Sequence, residues 1–317
     1  MTPPGLNRRR WASRSLRIFG ALPALWLIMS WAVAYRLTHR RHRPFAEPAP
    51  VVAWTTFEPH RLSTGDGHEI GAWYAQGREE APSVLLLHGN GGHRAHCLER
   101  AEMPASEGCS VLLISLRAHG DSTGEFNDIG YGARNDVAAA VDFLERRRPD
   151  WPIIVLGTSL GAAAALFAAE GLGRRVSGYI LESPYSDLKR AVRNRTENEL
   201  PPVLDWLAYR GLLAVSPLVL PDLDRISPLR AIKRVPDDVP ILILAGENDI
   251  SARPDEAQAL FNQVRSHAEL LIFPGAGHLQ MKGTDPARYR RAVLGLLGRT
   301  SSPEPRNPRR LGNPGRP

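Results

Sequence analysis

The chain is poor in cysteine: Cys97 and Cys109 are the only two in 317 residues. No Cys-x-x-Cys pair is present, and no cysteines and histidines cluster at the spacing of metal ligands. We therefore expect neither a metal site nor a bound cofactor. A disulfide is conceivable in an oxidising compartment, but lone cysteines usually act as small apolar side chains, and we favour two free thiols.

Acidic residues are scarce at both ends of the chain. Residues 1–43 contain nine arginines and no acid, and residues 299–317 contain five arginines and one glutamate. The net charge of +7 therefore comes from the ends, and residues 44–298 carry a net charge of −6. An acidic middle offers no basic surface to phosphate backbones, so we expect no nucleic-acid partner. The C-terminal tail, 299–317, has almost nothing to bury and is predicted to be disordered.

One long uncharged run, Ile18–Tyr35, follows the basic N-terminal tail of residues 1–17. Eighteen helical residues rise about 27 Å, close to the ~30 Å hydrocarbon core of a bilayer. The run predicts a transmembrane helix, or uncleaved signal anchor, that lies outside the fold and is followed by a linker, residues 36–50. The alternative is a signal peptide, because Ala32-Val33-Ala34 has the form of a cleavage site.

The arginines around this run do not determine which side of the membrane the folded domain faces. Five arginines precede it and four follow it closely, so the positive-inside rule hardly discriminates. Of the two orientations, we favour the one that places the folded domain outside the cytoplasm.

Short, almost wholly apolar runs recur along residues 51–298 and are typical of strands covered on both faces. They are Ser83–His88, Ser110–Leu116, Pro152–Gly157, Val176–Leu181, Pro240–Ala245 and Glu269–Phe273, with helical patterns near 93–106, 131–147, 159–170, 254–265 and 286–298. Two further strands, Val51–Phe57 and Glu69–Ala75, are predicted ahead of them. The alternation predicts an α/β domain with a mostly parallel eight-stranded sheet and helices on both faces. The two leading strands are predicted to form its antiparallel edge.

The interval 186–235 is too long for an ordinary loop. It is rich in leucine and proline and contains a helical pattern near 203–215. We interpret it as a small helical cap that helps to wall a pocket above the strand ends. The alternative is a packed excursion that never touches a ligand.

The most informative stretch is Gly157-Thr158-Ser159-Leu160-Gly161, between a predicted strand and an alanine-rich helix. A Gly-x-Ser-x-Gly sequence in this context is typical of a nucleophile elbow, a sharp turn that exposes the serine hydroxyl. We predict Ser159 as the nucleophile. The competing interpretation is an ordinary helix N-cap.

A serine needs a base and an orienting carboxylate, and both follow in the chain. His278 and Asp249 each come just after a predicted parallel strand, so they should lie at the same edge of the sheet as Ser159. Glu247 and Glu182 compete with Asp249 for the acid role. His88 competes with His278 for the base role, although its place in a glycine loop favours a structural hydrogen bond.

The glycine loop His88-Gly89-Asn90-Gly91-Gly92 directly follows another predicted strand. A loop at this point supplies one backbone N–H of an oxyanion hole, and the residue after the nucleophile supplies the other. We therefore assign the two donors to Asn90 and Leu160.

In this order, these motifs resemble the α/β-hydrolase superfamily, most closely its serine-aminopeptidase-like and membrane-anchored esterase or acyl-hydrolase branch. The resemblance spans about residues 51–298 and implies an α/β-hydrolase fold. One departure is Arg117-Ala118-His119-Gly120, where this branch usually reads Arg-Gly-aromatic-Gly. That loop borders the active site, so the change affects the expected substrate shape. His119 and His267 are expected to be surface or loop histidines.

The motifs predict a serine hydrolase that cleaves an ester or thioester through an acyl-enzyme and acts on a small acyl substrate. The predicted anchor favours a lipid-derived acyl group. A peptidase or amidase of the same fold is an alternative. A hydrolase fold that serves only as an interaction module is a third interpretation, against which the intact triad argues.

Overall fold

A central eight-stranded sheet organises the computed structural model, which describes residues 6–40, 42–221 and 223–300. The strands are β1 (Glu58–Ser63), β2 (Glu69–Ala75), β3 (Ser83–Leu87), β4 (Ser110–Ile114), β5 (Ile153–Thr158), β6 (Gly178–Glu182), β7 (Ile241–Gly246) and β8 (Ala268–Phe273). Their order is β1-β2-β4-β3-β5-β6-β7-β8. β1 and β2 pair antiparallel, β2 pairs antiparallel with β4, and every later pair is parallel.

Helices cover both faces of this sheet. The helices of the described residues are α1 (Leu6–Thr38), α2 (Leu98–Ser106), α3 (Arg134–Arg147), α4 (Leu160–Leu172), α5 (Leu188–Glu199), α6 (Pro202–Val219), α7 (Pro228–Ala231), α8 (Pro254–Phe261), α9 (Met281–Thr284) and α10 (Pro286–Thr300). Alternate side chains of β3 show why its sequence is apolar throughout: Leu85 and Leu87 join one core cluster, and Val84 and Leu86 join the other. Side chains of a strand alternate between faces, so a strand buried on both faces needs apolar residues at every position.

The prediction of a leading strand at Val51–Phe57 is wrong. In this segment only an isolated bridge joins Val51 to Thr56, and the first strand is β1 instead. Phe57 packs its ring between those of Trp54 and Trp73, so the apolar residues here bury themselves by side-chain packing instead of strand pairing. The polar β1 lies at the sheet edge, where a largely exposed strand needs few apolar residues.

Both cysteines are free and buried. Burial raises the pKa of the Cys97 thiol to about 12 and that of Cys109 to about 11. Their thiols are therefore protonated at neutral pH, and they pack as small apolar side chains.

The expectation that the long apolar helix lies outside the fold is also wrong. α1 packs along α6, and its Ser30 and Ala34 are buried. A side chain at Gly211 of α6 would lie 2.1 Å from Oγ of Ser30, so the two helices approach closely only because that residue is glycine. Residues 21–38 of α1 are long enough and apolar enough to cross a membrane, by length and composition.

The interval 186–235 folds into α5, α6, α7 and short 3₁₀ turns. Apolar residues of this interval share a cluster with Ala34 of α1 and with Phe167 of α4. The basic tail, 1–17, is helical from Leu6 onward. The tail predicted to be disordered, 299–317, lies almost wholly outside the described residues.

Candidate active site

Ser159 lies in a sharp turn between β5 and α4, with a left-handed backbone (φ 50°, ψ −108°). A Cβ at Gly157 would lie 2.5 Å from the carbonyl oxygen of Gly161, and a Cβ at Gly161 would lie 2.6 Å from that of Leu87. Since real Cβ atoms do not come this close to backbone, both glycines are required for the turn. A positive φ in a non-glycine residue is strained and is often found at functional sites.

Asp249 and His278, far apart in sequence, meet at the carboxyl edge of the sheet. Nδ1 of His278 donates a hydrogen bond of 2.8 Å to Oδ2 of Asp249. The other carboxylate oxygen accepts 2.9 Å hydrogen bonds from the backbone N–H groups of Ser251 and Ala252. Burial alone would raise the pKa of Asp249, but the hydrogen bond and charge of His278, with the N–H of Ala252, outweigh it and lower that pKa. The carboxylate is thus ionised and orients the imidazole.

This meeting depends on contact between the loop after β7 and the loop after β8. The N–H of Glu247 donates to the carbonyl of Phe273 at 3.0 Å, and the N–H of Asn248 donates to that of Ala276 at 2.8 Å. A Cβ at Gly246 would lie 2.4 Å from the carbonyl oxygen of Ala276. Two backbones in direct contact leave no room for a side chain between them.

The two rival acids have other partners. Glu182 is fully buried and bonded to Nε of Arg100 at 2.8 Å and to the hydroxyl of Tyr289. Glu247 is exposed and accepts a hydrogen bond from the N–H of Gly275. Of the three candidate carboxylates, the structure brings Asp249 to His278.

Gly89 lies beside both the serine turn and the histidine loop. A Cβ there would be 3.6 Å from Cβ of Ser159 and 3.8 Å from Cδ1 of Leu279, the residue after His278. Within the described part of the chain no hydrogen bond joins Ser159 to His278. Catalytic hydrogen bonds are often long without substrate and tighten when it binds.

The predicted oxyanion loop is held by two neutral histidines. Nε2 of His88 accepts the N–H of Leu116 at 2.9 Å, and burial lowers the pKa of His88 well below its usual value. Nε2 of His119 accepts the N–H of Gly91 at 3.1 Å. These bonds hold Asn90 at the turn, and its side-chain oxygen accepts a hydrogen bond from Asn127.

Leu160 is the first residue of α4. The first N–H groups of a helix have no acceptor within the helix and are available to an anion. Its backbone therefore suits the second donor role.

His119 is a loop histidine, as expected, but it does not lie at the surface. It is buried, with its Nδ1 bonded to the carbonyl of Arg117 and its Nε2 bonded to the oxyanion loop. Ala118, in the position where this branch usually has glycine, has a φ of 59°. An alanine in the left-handed region is strained by about 1–2 kcal/mol, and the surrounding contacts of the loop maintain it.

Sequence reasoning missed two residues in the segment predicted to be a linker, 36–50. Arg40 donates hydrogen bonds to the carbonyls of Gly120, Ser122 and Gly124. Glu47 is buried and accepts hydrogen bonds from Arg94, Ser115 and the N–H of Asp121. These charged groups fix the loop that carries His119. Charges in a basic, proline-containing segment gave no signal of burial.

A cavity of about 250 Å³ opens beside the oxyanion loop. It is lined by Asn90 and His119 on one side and by His39, His42 and Phe45 of the segment after α1 on the other. Among the described residues, no group of three or more His, Cys, Asp or Glu side chains has the geometry to hold a metal ion. By lining this cavity, the segment after α1 lies next to the predicted oxyanion loop.

Alanine substitution tests the two elbow glycines. We expect Gly157→Ala and Gly161→Ala to destabilise the protein by about 1–3 kcal/mol or more, since each new Cβ overlaps backbone atoms. Thermal unfolding followed by circular dichroism measures the effect.

The matched control is Gly171→Ala in α4, the helix that also contains Gly161, where a Cβ meets nothing within 4 Å. It should stabilise by up to about 1 kcal/mol, because alanine favours helix over glycine. Equal effects of the three substitutions would contradict a tight elbow.

Comparison with known proteins agrees with this architecture. The sequence model of the alpha/beta hydrolase family matches residues 84–292. Human ABHD12B is 27% identical over 245 residues, which cover 72% of this chain and 64% of ABHD12B. The lysophosphatidylserine lipase ABHD12 of Xenopus tropicalis is 24% identical over 212 residues, 64% of this chain but 52% of that protein.

Among solved structures, the Pyrococcus furiosus esterase Pf2001 superposes with a TM-score of 0.65 at 22% sequence identity. The match covers 82% of this chain and 100% of the esterase, and at this identity it speaks to the fold. Because the family match spans well over half of the sequence, the chain belongs to the alpha/beta hydrolase family.

Proposed function

We propose that the protein is a serine hydrolase that cleaves carboxylic esters or thioesters through an acyl-enzyme. The observation that carries the proposal is the Asp249–His278 hydrogen bond at the same sheet edge as the strained Ser159. Asp249, His278 and Ser159 follow the ends of β7, β8 and β5, respectively. This is the arrangement that acyl transfer by a serine requires.

In this mechanism Ser159 attacks the substrate carbonyl while Nε2 of His278 takes its proton. Asp249 binds Nδ1–H, which leaves Nε2 free of a proton for that role and stabilises the imidazolium that forms. His278 then protonates the leaving group. A water molecule, activated by the same imidazole, releases the acyl group and regenerates Ser159.

The backbone N–H groups of Asn90 and Leu160 receive the negative oxygen of the tetrahedral intermediate. Their positions are set before substrate arrives, Asn90 by the loop that His119 supports and Leu160 by the start of α4. Preorganised donors need not reorient during the reaction, and one such donor contributes about 2.7–4 kcal/mol.

A lipid-derived acyl group is the substrate class we favour. Residues 21–38 provide a single-pass anchor, and a relative of this chain is named a lysophosphatidylserine lipase. An enzyme held at a bilayer meets lipid esters at high local concentration. A peptidase of the same fold would use the same triad on an amide.

Ser159→Ala tests the nucleophile. We expect the purified full-length protein to react with a fluorophosphonate probe and to hydrolyse p-nitrophenyl esters, and the variant to lose both activities while folding normally. The measurements are in-gel fluorescence, ester hydrolysis and circular dichroism. Wild-type protein that neither labels nor turns over any ester, thioester or aminoacyl amide would show that the fold is catalytically silent.

Asp249→Asn tests the acid. We expect kcat to fall by about 10⁴-fold, because an amide favours the wrong imidazole tautomer. The matched control is Glu247→Gln, two residues away, whose amide oxygen can still accept the N–H of Gly275. Loss of activity in the control but not in Asp249→Asn would refute the assignment.

Acyl-chain length tests the lipid assignment. Across p-nitrophenyl esters from acetate upward, kcat/KM should rise with chain length, because each buried CH₂ adds about 0.8 kcal/mol of binding. A profile that is flat or falls with length would argue against a lipid acyl group but would leave the triad intact.

A further inference from the structure

The outer face of α6 is apolar to an extent unusual for a helix in contact with water. Its large exposed side chains are Val203, Leu204, Trp206, Leu207 and Leu218. Within this fully described helix, Arg210 is the only exposed charged residue, and its guanidinium lies over the ring of Trp206. A surface helix of a globular protein normally turns a polar face to solvent.

α1 lies alongside this helix. Nε1 of Trp26 donates to the carbonyl of Leu207 at 3.1 Å, and Ser30 faces Gly211. From the first contact to the second, the residue number increases by four on both helices, so the two helices run side by side in the same direction. Ala34 continues the contact by joining an apolar cluster that contains Val215.

The exposed surface of α1 is apolar on several sides. Leu27, Ile28 and Met29 are consecutive and all exposed. Successive residues of a helix differ by about 100° in direction, so these three cover about 200° of the surface. A protein partner would cover one side of such a helix, whereas lipid surrounds it, and an apolar surface all round is typical of a membrane span.

The contacts with α6 fall inside the segment of α1 that can span a membrane, residues 21–38, of which only 17% is buried. From Trp26 to Ala34 the helix rises about 12 Å. When this segment lies in the hydrocarbon layer, α6 must lie beside it, because water cannot separate helices in direct contact. The two exposed apolar surfaces therefore share one environment.

We propose that α6 is embedded in the lipid bilayer together with α1, so that the cap formed by residues 186–235 is a second membrane-binding element. The exposed apolar surface of α1 and α6 is its lipid-facing surface. Arg210 turns its guanidinium toward the ring of Trp206, whose side chain is of the kind preferred at the lipid–water interface.

The embedded cap is joined to the active-site edge through α5. Nδ2 of Asn194 donates to the carbonyl of Ser251 at 3.1 Å, and Nδ2 of Asn198 donates to that of Ile250 at 2.6 Å. These carbonyls come directly after Asp249. An embedded cap therefore brings the active-site edge close to the bilayer that contains lipid esters; this consequence rests on the proposed function, whereas the membrane contact itself does not.

Depth-dependent quenching tests the membrane contact. The full-length protein carries a fluorophore at Leu204→Cys and is reconstituted into phosphatidylcholine vesicles with nitroxide-labelled acyl chains. The two native cysteines are buried, so labelling is selective. Ile28→Cys on α1 is the reference for lipid exposure, and Asp237→Cys, 96% exposed in the turn before β7, is the reference for water exposure.

We expect the label at position 204 to be quenched as strongly as the label at 28, and the label at 237 to stay bright. Quenching at 28 alone would overturn the proposal, because α6 would then face water. Absence of quenching at both 28 and 204 would also overturn it and would point to a protein partner or a second copy on this surface. The quenching measurements do not depend on substrate turnover. A negative result for the membrane contact is therefore distinguishable from failure of the proposed chemistry.

Leu218→Glu provides a second test. Leu218 is 76% exposed, so a carboxylate there should not disturb folding. We expect hydrolysis of a vesicle-embedded ester to fall about tenfold, because a charge is disfavoured in lipid, with hydrolysis of a soluble acetate ester unchanged. Leu218→Met is the matched control and should behave as the wild type. Unchanged activity of Leu218→Glu on both substrates would contradict an embedded α6.

Discussion

Two loops at the carboxyl edge of the sheet lie so close together that Gly246 has no space for a side chain. Backbone hydrogen bonds join them, and this contact brings Nδ1 of His278 to within 2.8 Å of Oδ2 of Asp249. The turn at Ser159 has the same character, since Gly161 packs directly on the end of β3. The site thus depends on backbone surfaces in contact, which only glycine allows. The strain at Ser159 is sustained by this packing.

Around this edge, buried polar groups fix the loops that supply backbone donors. His88 and His119 act as neutral acceptors of loop N–H groups, and Arg40 and Glu47 hold the loop that carries His119. A buried polar network of this kind stabilises one arrangement because leaving any member unpaired is unfavourable. It gives the predicted oxyanion loop a defined position without substrate.

α1 is held to the catalytic domain by more than the chain that follows it. Ser30 and Ala34 are buried against the cap, and Arg40, just past the end of the helix, is bonded to the active-site loop. His39 and His42 line the cavity beside the oxyanion loop. α1, the cap and the carboxyl edge of the sheet are therefore joined by one continuous set of contacts.

The sequence alone determined the parallel strands and the helices between them, because strands buried on both faces need unbroken apolar runs. It also located Ser159, Asp249 and His278, because a motif at a strand end fixes the edge of the sheet from which a side chain projects. The first strand was misplaced, because Phe57 and its neighbours are buried by aromatic packing, which produces no periodic hydrophobic pattern in the sequence.

Only the tertiary structure showed which of the rival carboxylates reaches His278: Glu182 follows a strand as Asp249 does, but its partners are Arg100 and Tyr289. It also decided that α1 belongs to the fold and that His119 is a buried support. Contacts between residues distant in the chain carry no local pattern, so these outcomes depend on which surfaces meet when the chain is folded.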